Sequence, residues 1–479
     1  MVVNVCKYYC RIYITPLILL GFNVLTKSLF LFMILSANAF FIEIPHSTTI
    51  KNETIVMVNT AITALVARKV WSSSGLPALE VEVFINKRIS ARAITQSGLS
   101  GGYVDPILNS EKICANLHKM LDYKIEYIRN ILTPKLLGQR IDDQIFIDSL
   151  LSSCTQNNSL SNADTAAISI SVADLAAKYY AIPLWKYIQK EDFEPIMPLP
   201  EIEIFGGGAH ASYASTVQDV MVIAPGAENY QHALCIGAEI FQRIKNQLVK
   251  AGKPTGLCEK GGLWPSYDHF SHALEMVSEA IALSGLTAGK DIGIAIDFAA
   301  DGFYDSGHYW LNGKKVCGQH SDEYIATLTS LVKKFPIMSL EDPLAVEDRA
   351  GYRELMQLLG NEVQIISDDL LDSDPQLVQS EDAALLCNAI MIKPAKSGTL
   401  TKTISALRHA RNKGWGAIMA GRSIDSEDTA VMHLAVGLGI GQFKIGSLAR
   451  AERSAKFNEG IRIAEASREL VFAGAKELP

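Results

Sequence analysis

The residues with chemistry to offer stand behind a series of short apolar runs. Asp297 closes the run Ile292, Ile294, Ile296; Glu341-Asp342-Pro343 follows Pro336 to Leu340; Asp368-Asp369 follows Val363 to Ser367. Ala389 to Ile392 leads into Lys393, Ala417 to Ala420 into Gly421-Arg422-Ser423, and Gln442-Phe443 into Lys444. A buried parallel strand reads as such a continuous run, and its carboxyl end is where barrel enzymes place their reactive groups. Three carboxylates and two lysines at successive strand ends therefore share one mouth. Those residue types hold hard cations and move protons.

The elements that must position them follow from the spacing. From Glu341 onward the charged ends recur roughly every 25 residues, near the strand-helix repeat of an eight-fold barrel. Helix-like segments such as Leu400 to Lys413 lie between them. Earlier in the chain come a strand over Gln218 to Ala224, a helix over Tyr230 to Val249 and a further helix through Leu283. A glycine loop, Phe205 to His210, precedes that strand with a spacing that is not that of a dinucleotide fingerprint, and a second, Cys258-Glu259-Lys260-Gly261-Gly262, precedes the further helix. Pro195, Pro198 and Pro200 mark a domain boundary.

Before that boundary the pattern changes. Leu79, Val81, Val83 and Ile85 alternate along a strand, Asn86-Lys87 turns it, and Ile89, Ala91 and Ala93 return. The loop Ser97 to Gly102 is glycine-rich and reads either as a linker or as a mobile flap, and Ile168, Val172, Leu175, Ala176 and Tyr179 keep helix spacing. The expected organisation is a targeting-like segment over 1–60, an α+β cap over 61–194 and an α/β barrel over 195–479.

The totals narrow the class. With 48% hydrophobic and 20% charged residues the chain is globular, and a net charge of −7 leaves no basic surplus for nucleic acid. Eight cysteines without a CxxC pair read as scattered thiols of a reducing compartment. At the N-terminus, Ile12 to Thr26 and Ser28 to Phe41 are apolar stretches parted by Lys27. Neither reaches the roughly 20 clean apolar residues of a membrane span. Lys27, Leu29 to Leu35 and Ala37-Asn38-Ala39 follow the order of a signal peptide. Phe40 and Ser47 to Lys51 are similar to plastid-type targeting sequences, and any membrane contact is confined to residues 1–44.

From about Ala67 the chain resembles enolase. The resemblance is carried by Ser74 to Val81, Ser97-Gly98-Leu99-Ser100, Ser339-Leu340-Glu341-Asp342-Pro343, Asp368-Asp369-Leu370, Arg422-Ser423 with Glu427-Asp428-Thr429, and Gly441-Gln442-Phe443-Lys444 with Glu452-Arg453 and Lys456. It implies a modified TIM-type barrel beneath an α+β cap, a cytoplasmic homodimer, Mg²⁺, and reversible dehydration of 2-phosphoglycerate to phosphoenolpyruvate. By the same resemblance Asp297, Glu341 and Asp368 are ligands of the tighter magnesium and Ser100 belongs to the second. Lys393 is the base and Lys444 the second active-site lysine; a lysine base paired with Mg²⁺ is the handling known for this superfamily. Arg422 and Ser423 take the phosphate, with Gly421 before them, and His210 and Gln218 face the substrate.

This sequence also departs from the family pattern. Lys260 stands where the general-acid glutamate belongs, with Glu259 in the preceding aspartate's place. Asp219 replaces a catalytic glutamate and Gly421 a histidine, and Ala395-Lys396 replaces Asn-Gln after the base. The proton-abstracting half is complete, whereas the half that protonates the departing hydroxyl is altered and falls to Glu259 or Asp219. The alternatives are an enolase-like scaffold or binding protein, and a superfamily lyase acting on another acid.

Overall fold

The structure, a computed structural model, describes residues 60–86, 88–95, 112–267, 269–312 and 318–479. The N-terminal apolar segment and the loop Ser97 to Gly102, with Ser100 in it, lie outside the described residues.

The early alternation builds an antiparallel sheet. β1 (Ala64–Trp71), β2 (Pro77–Ile85) and β3 (Ile89–Ile94) pair in that order. Val81 faces Ala93 and Val83 faces Ala91, and all four are buried. Asn86 makes the turn with a left-handed φ of 52°, a conformation Asn tolerates. The helix Asn162–Tyr179 packs on this sheet. It begins with a capping box, in which Ser161 Oγ accepts from Asp164 N while the Asp164 carboxylate accepts from Ser161 N at 2.8 Å.

β4 (Ile196–Met197) precedes the barrel and pairs with β15 (Val471–Phe472) at the end of the chain. The barrel strands are β5 (Leu199–Gly206), β6 (Asp219–Ile223), β7 (Gly293–Asp297), β10 (Ile337–Glu341), β11 (Gln364–Ser367), β12 (Ala389–Ile392), β13 (Gly416–Ala420) and β14 (Gln442–Lys444). β8 (Tyr304–Asp305) and β9 (His308–Tyr309) form a small hairpin outside it. The barrel closes in the order β10-β11-β12-β13-β14-β5-β6-β7.

One strand runs backwards. β6 is antiparallel to both β5 and β7, while the other barrel pairs are parallel. A parallel return needs a crossover, usually a helix. The segment between β5 and β6 is instead the Gly-rich loop with a single 3₁₀ turn, Gly208–Ala211. A side chain at Gly207 would strike the Val217 carbonyl oxygen at 2.0 Å, so the hairpin closes only over glycine. Reversal puts the first residue of β6, Asp219, beside the last residues of its neighbours, Gly206 and Asp297.

Alternation along each strand then decides which side chains enter the barrel. Leu199, Met221, Ile223 and Ala295 form one apolar group inside; Ile366, Ala389, Met391, Ile418 and Ala420 form another. Their strand neighbours, including Val220, Val222, Ile294, Ile296, Ile365, Ile390, Ile392 and Met419, belong to the larger core outside. Continuing the inner positions by two residues reaches Asp219, Asp297, Asp368, Lys393 and Arg422. The strand period thus aims the charged ends at a common space. No helix among the described residues is long and apolar enough to cross a membrane, and Cys114, Cys154, Cys235, Cys258 and Cys387 are free thiols.

Candidate active site

Lys444, at the end of β14, is the hub of one half of the mouth. Its Nζ donates to Asp297 Oδ2 and Glu341 Oε2, each at 2.6 Å, and lies 3.3 Å from Asp219 Oδ2. Burial alone would drive a proton off this amine, but Asp297, Glu341 and Asp219 outweigh it and hold its pKa well above the ordinary lysine value. Gln218 Nε2 adds a hydrogen bond to Asp297 Oδ2 at 2.9 Å.

The other half is built on Asp368. The Lys393 ammonium contacts Asp368 Oδ2, and Lys396 Nζ stands 3.0 Å from Oδ1. Burial opposes the Asp368 charge, yet Lys393 and Lys396 together keep its carboxyl far below the usual range. For Lys393, burial dominates and nearby Lys396 adds to it, so the amine's pKa is lowered despite the Asp368 contact. That is the direction a lysine base needs.

Asp342 braces the two halves. Its oxygens accept from the backbone N–H of Asp368 at 3.0 Å and of Asp369 at 2.9 Å, and its own φ of 38° is left-handed. Glu341, Asp342 and Asp368 can bring carboxylate oxygens within 4.8 Å of one another. Since Asp342 is committed to those two amides, Glu341 and Asp368 are the better placed donors of that group. Asp297 meets Glu341 across the Lys444 ammonium instead.

The mouth is arranged differently around Lys260. Lys260 Nζ is 2.7 Å from Asp219 Oδ2, and the Asp219 side chain is only 1% exposed. Burial again disfavours the anion, but Lys260 and Lys444 prevail and hold Asp219 well below the ordinary carboxylate range. The Lys260 carbonyl accepts from Ser447 N at 2.9 Å, which ties its loop to the end of β14. Glu259 turns the other way, with Oε2 3.3 Å from His210 Nδ1. His210 Nε2 is buried without a hydrogen-bond partner, and burial together with Lys260 lowers the ring's pKa.

The Arg422-Ser423 turn is held from behind. Arg453, 1% exposed, donates from Nη1 to the Arg422 carbonyl at 2.9 Å and from Nη2 to the Ser423 carbonyl. Its charge is met by Asp425 Oδ2 at 3.1 Å, which Lys456 Nζ also approaches to 3.0 Å. Gly421 donates its N–H to the Lys444 carbonyl at 3.3 Å, so this turn and β14 are joined directly.

The structure thus brings Asp219, Asp297, Glu341 and Lys444 into one contact group and Asp368 and Lys393 into another beside it at one barrel end, with Glu341 and Asp368 able to place carboxylate oxygens within 4.8 Å and with His210 and Glu259 close by. Ser100 lies outside the described residues. The sequence pattern passes over Glu203, and it contains Asp342 and Arg453 only as members of motifs, without a role. Glu203 is fully buried, with both carboxylate oxygens unpartnered, and its Oε1 occupies the space a side chain on Gly206 or Gly262 would need. Its signal was there to read: Glu201 and Glu203 alternate with Ile202 and Ile204, placing carboxylates at the inner positions of β5.

Such a mouth on a closed eight-stranded barrel defines an αβ-barrel of the kind that carries chemistry at its strand ends. Comparison with known proteins agrees. The model of the enolase C-terminal TIM barrel domain matches residues 194–478, and that of the enolase N-terminal domain matches residues 62–188. The chain is 35% identical over 409 residues to the enolase of Anaplasma marginale (strain St. Maries), covering 84% of this chain and 94% of that protein. The chain belongs to the enolase family.

Proposed function

We propose that the chain catalyses the magnesium-dependent, reversible dehydration of 2-phosphoglycerate to phosphoenolpyruvate, the phosphopyruvate hydratase step of glycolysis. The observation that carries this reading is the pairing of a desolvated lysine, Lys393, with Asp368 beside the group that Lys444 makes with Asp297 and Glu341. Glu341 Oε1 is buried without a hydrogen-bond partner, and such a hard oxygen suits Mg²⁺. Asp297, Glu341 and Asp368 would hold the ion, with Ser100 assigned to a second one. Bound there, magnesium supplies positive charge against the negative charge that develops on the substrate carboxylate.

The protein's own groups do the rest. Lys393 leaves Asp368 and removes the proton next to the substrate carboxylate. Lys444 stays charged, fixes Asp297 and Glu341, and adds a cation to the same side. Arg422 and Ser423 bind the phosphate, with the Gly421 turn shaping their approach, and Gln218 and His210 orient the substrate. Glu259, its side chain 39% exposed, delivers the proton for the departing hydroxyl through His210. Asp219 stays ionised and anchors Lys260 and Lys444.

The protein works as a homodimer in this reading. Its compartment is the cytoplasm unless residues 1–44 direct it to an organelle, which a fusion of residues 1–60 to a fluorescent protein decides. The catalytic test follows the enol product from 2-phosphoglycerate and magnesium. Turnover above a K393A control supports the reading, and equality with that control rejects it.

One observation favours a second reading. The Lys260–Asp219 ion pair removes a proton donor from the leaving-group side, which suits a protein that binds metal and anion without efficient dehydration. Turnover of about 1 s⁻¹ or faster excludes that reading.

A further inference from the structure

Lys396 lies on the short helical turn Pro394–Ser397 that follows the base. Its side chain is 6% exposed and its ammonium meets three carboxylates: Asp368 Oδ1 at 3.0 Å, Asp369 Oδ1 at 2.8 Å and Asp372 Oδ1 at 2.9 Å. Its backbone carbonyl accepts from Asn162 Nδ2 of the cap helix at 2.7 Å. The residue is therefore held at both ends, which is not true of a lysine on a solvated face. Lys393 has work elsewhere and must leave Asp368 to reach a substrate. Lys396 has no such task and stays.

We infer that Lys396 is a resident counter-cation of the metal-side carboxylates, orienting Asp368 and Asp369 while weakening their hold on a divalent ion. The inference rests on reading Asp297, Glu341 and Asp368 as magnesium ligands. An ammonium in contact with a ligand carboxylate repels a dication approaching the same group, and in a buried site neither solvent nor salt screens that repulsion well. A purely structural brace predicts the opposite sign, because a carboxylate that loses its support binds metal less well.

Calorimetric titration of Mg²⁺ into the full chain separates the two without measuring turnover. Replacing Lys396 by Gln keeps a hydrogen-bond donor, and replacing it by Met keeps the volume; circular dichroism checks the fold of each. Either folded variant is expected to bind Mg²⁺ about tenfold or more tightly than the wild type, while K396R stays close to it. Equal or weaker binding in the folded neutral variants, with normal binding in the wild type, overturns this inference alone. No binding in any form overturns both the inference and the metal reading beneath it.

Discussion

Lys260 Nζ lies 2.7 Å from Asp219 Oδ2 in a site where Asp219 is all but inaccessible to solvent. Positions that elsewhere in the family carry two acids thus hold an acid and a base locked together. A salt-bridged aspartate held far below the ordinary carboxylate range has no proton to give near neutral pH. Replacing Lys260 by Glu reverses this: two carboxylates in contact cannot both ionise, and one of them is pushed up into the range of a general acid. The double variant K260E/G421H is expected to raise the dehydration rate by about 10²-fold, the usual yield of a positioned acid. A fall in rate means the site is tuned to its lysine.

Glu203 gives a prediction about stability. Burial pushes its carboxyl from 4.5 up to about 8, with ionised Asp219 adding to the shift and Lys260 opposing it. The folded state therefore binds a proton that the unfolded state has lost between those two values. Its contribution is fully present below pH 4.5 and is lost as pH rises toward 8, at up to about 1.4 kcal/mol per pH unit. E203Q cannot titrate. Its unfolding free energy relative to the wild type is expected to rise by roughly 2–4 kcal/mol between pH 5 and pH 8 in denaturant melts; a constant difference contradicts the assignment.

Arg453 supports, from behind, the turn proposed to bind phosphate. Its guanidinium spans the carbonyls of Arg422 and Ser423 and the carboxylate of Asp425. Removing it as R453M takes a buried cation away from Asp425 and is expected to cost about 3 kcal/mol of stability. The folded fraction should show a KM for the phosphorylated substrate raised about tenfold or more, with R453K recovering part of it. An unchanged KM would show that the Arg422-Ser423 turn holds its shape unaided.

Much of this architecture was readable before any coordinates. Asp297, Glu341, Asp368, Lys393 and Lys444 announce themselves because each ends an apolar run, and strand parity carries them to the barrel interior. The pairing of those charges was not readable. Lys260 and Asp219 are distant in sequence, and only the reversal of β6 brings Asp219 to the mouth. Glu203 was hidden for the opposite reason: it sits within its strand, where a reading of strand ends does not look. Asp342 was taken as part of a motif, although its work is to hold the amides of Asp368 and Asp369.

The central claim is that Lys393 takes a carbon-bound proton at this mouth. Incubating the protein with 2-phosphoglycerate and magnesium in deuterated water, and following both the α-proton and phosphoenolpyruvate by NMR, tests it most directly. Expected are exchange and product in the wild type, exchange at least about 10²-fold slower in K393A, and product limited by the leaving-group side. Exchange that persists in K393A, or a wild type that neither exchanges nor eliminates, would contradict it.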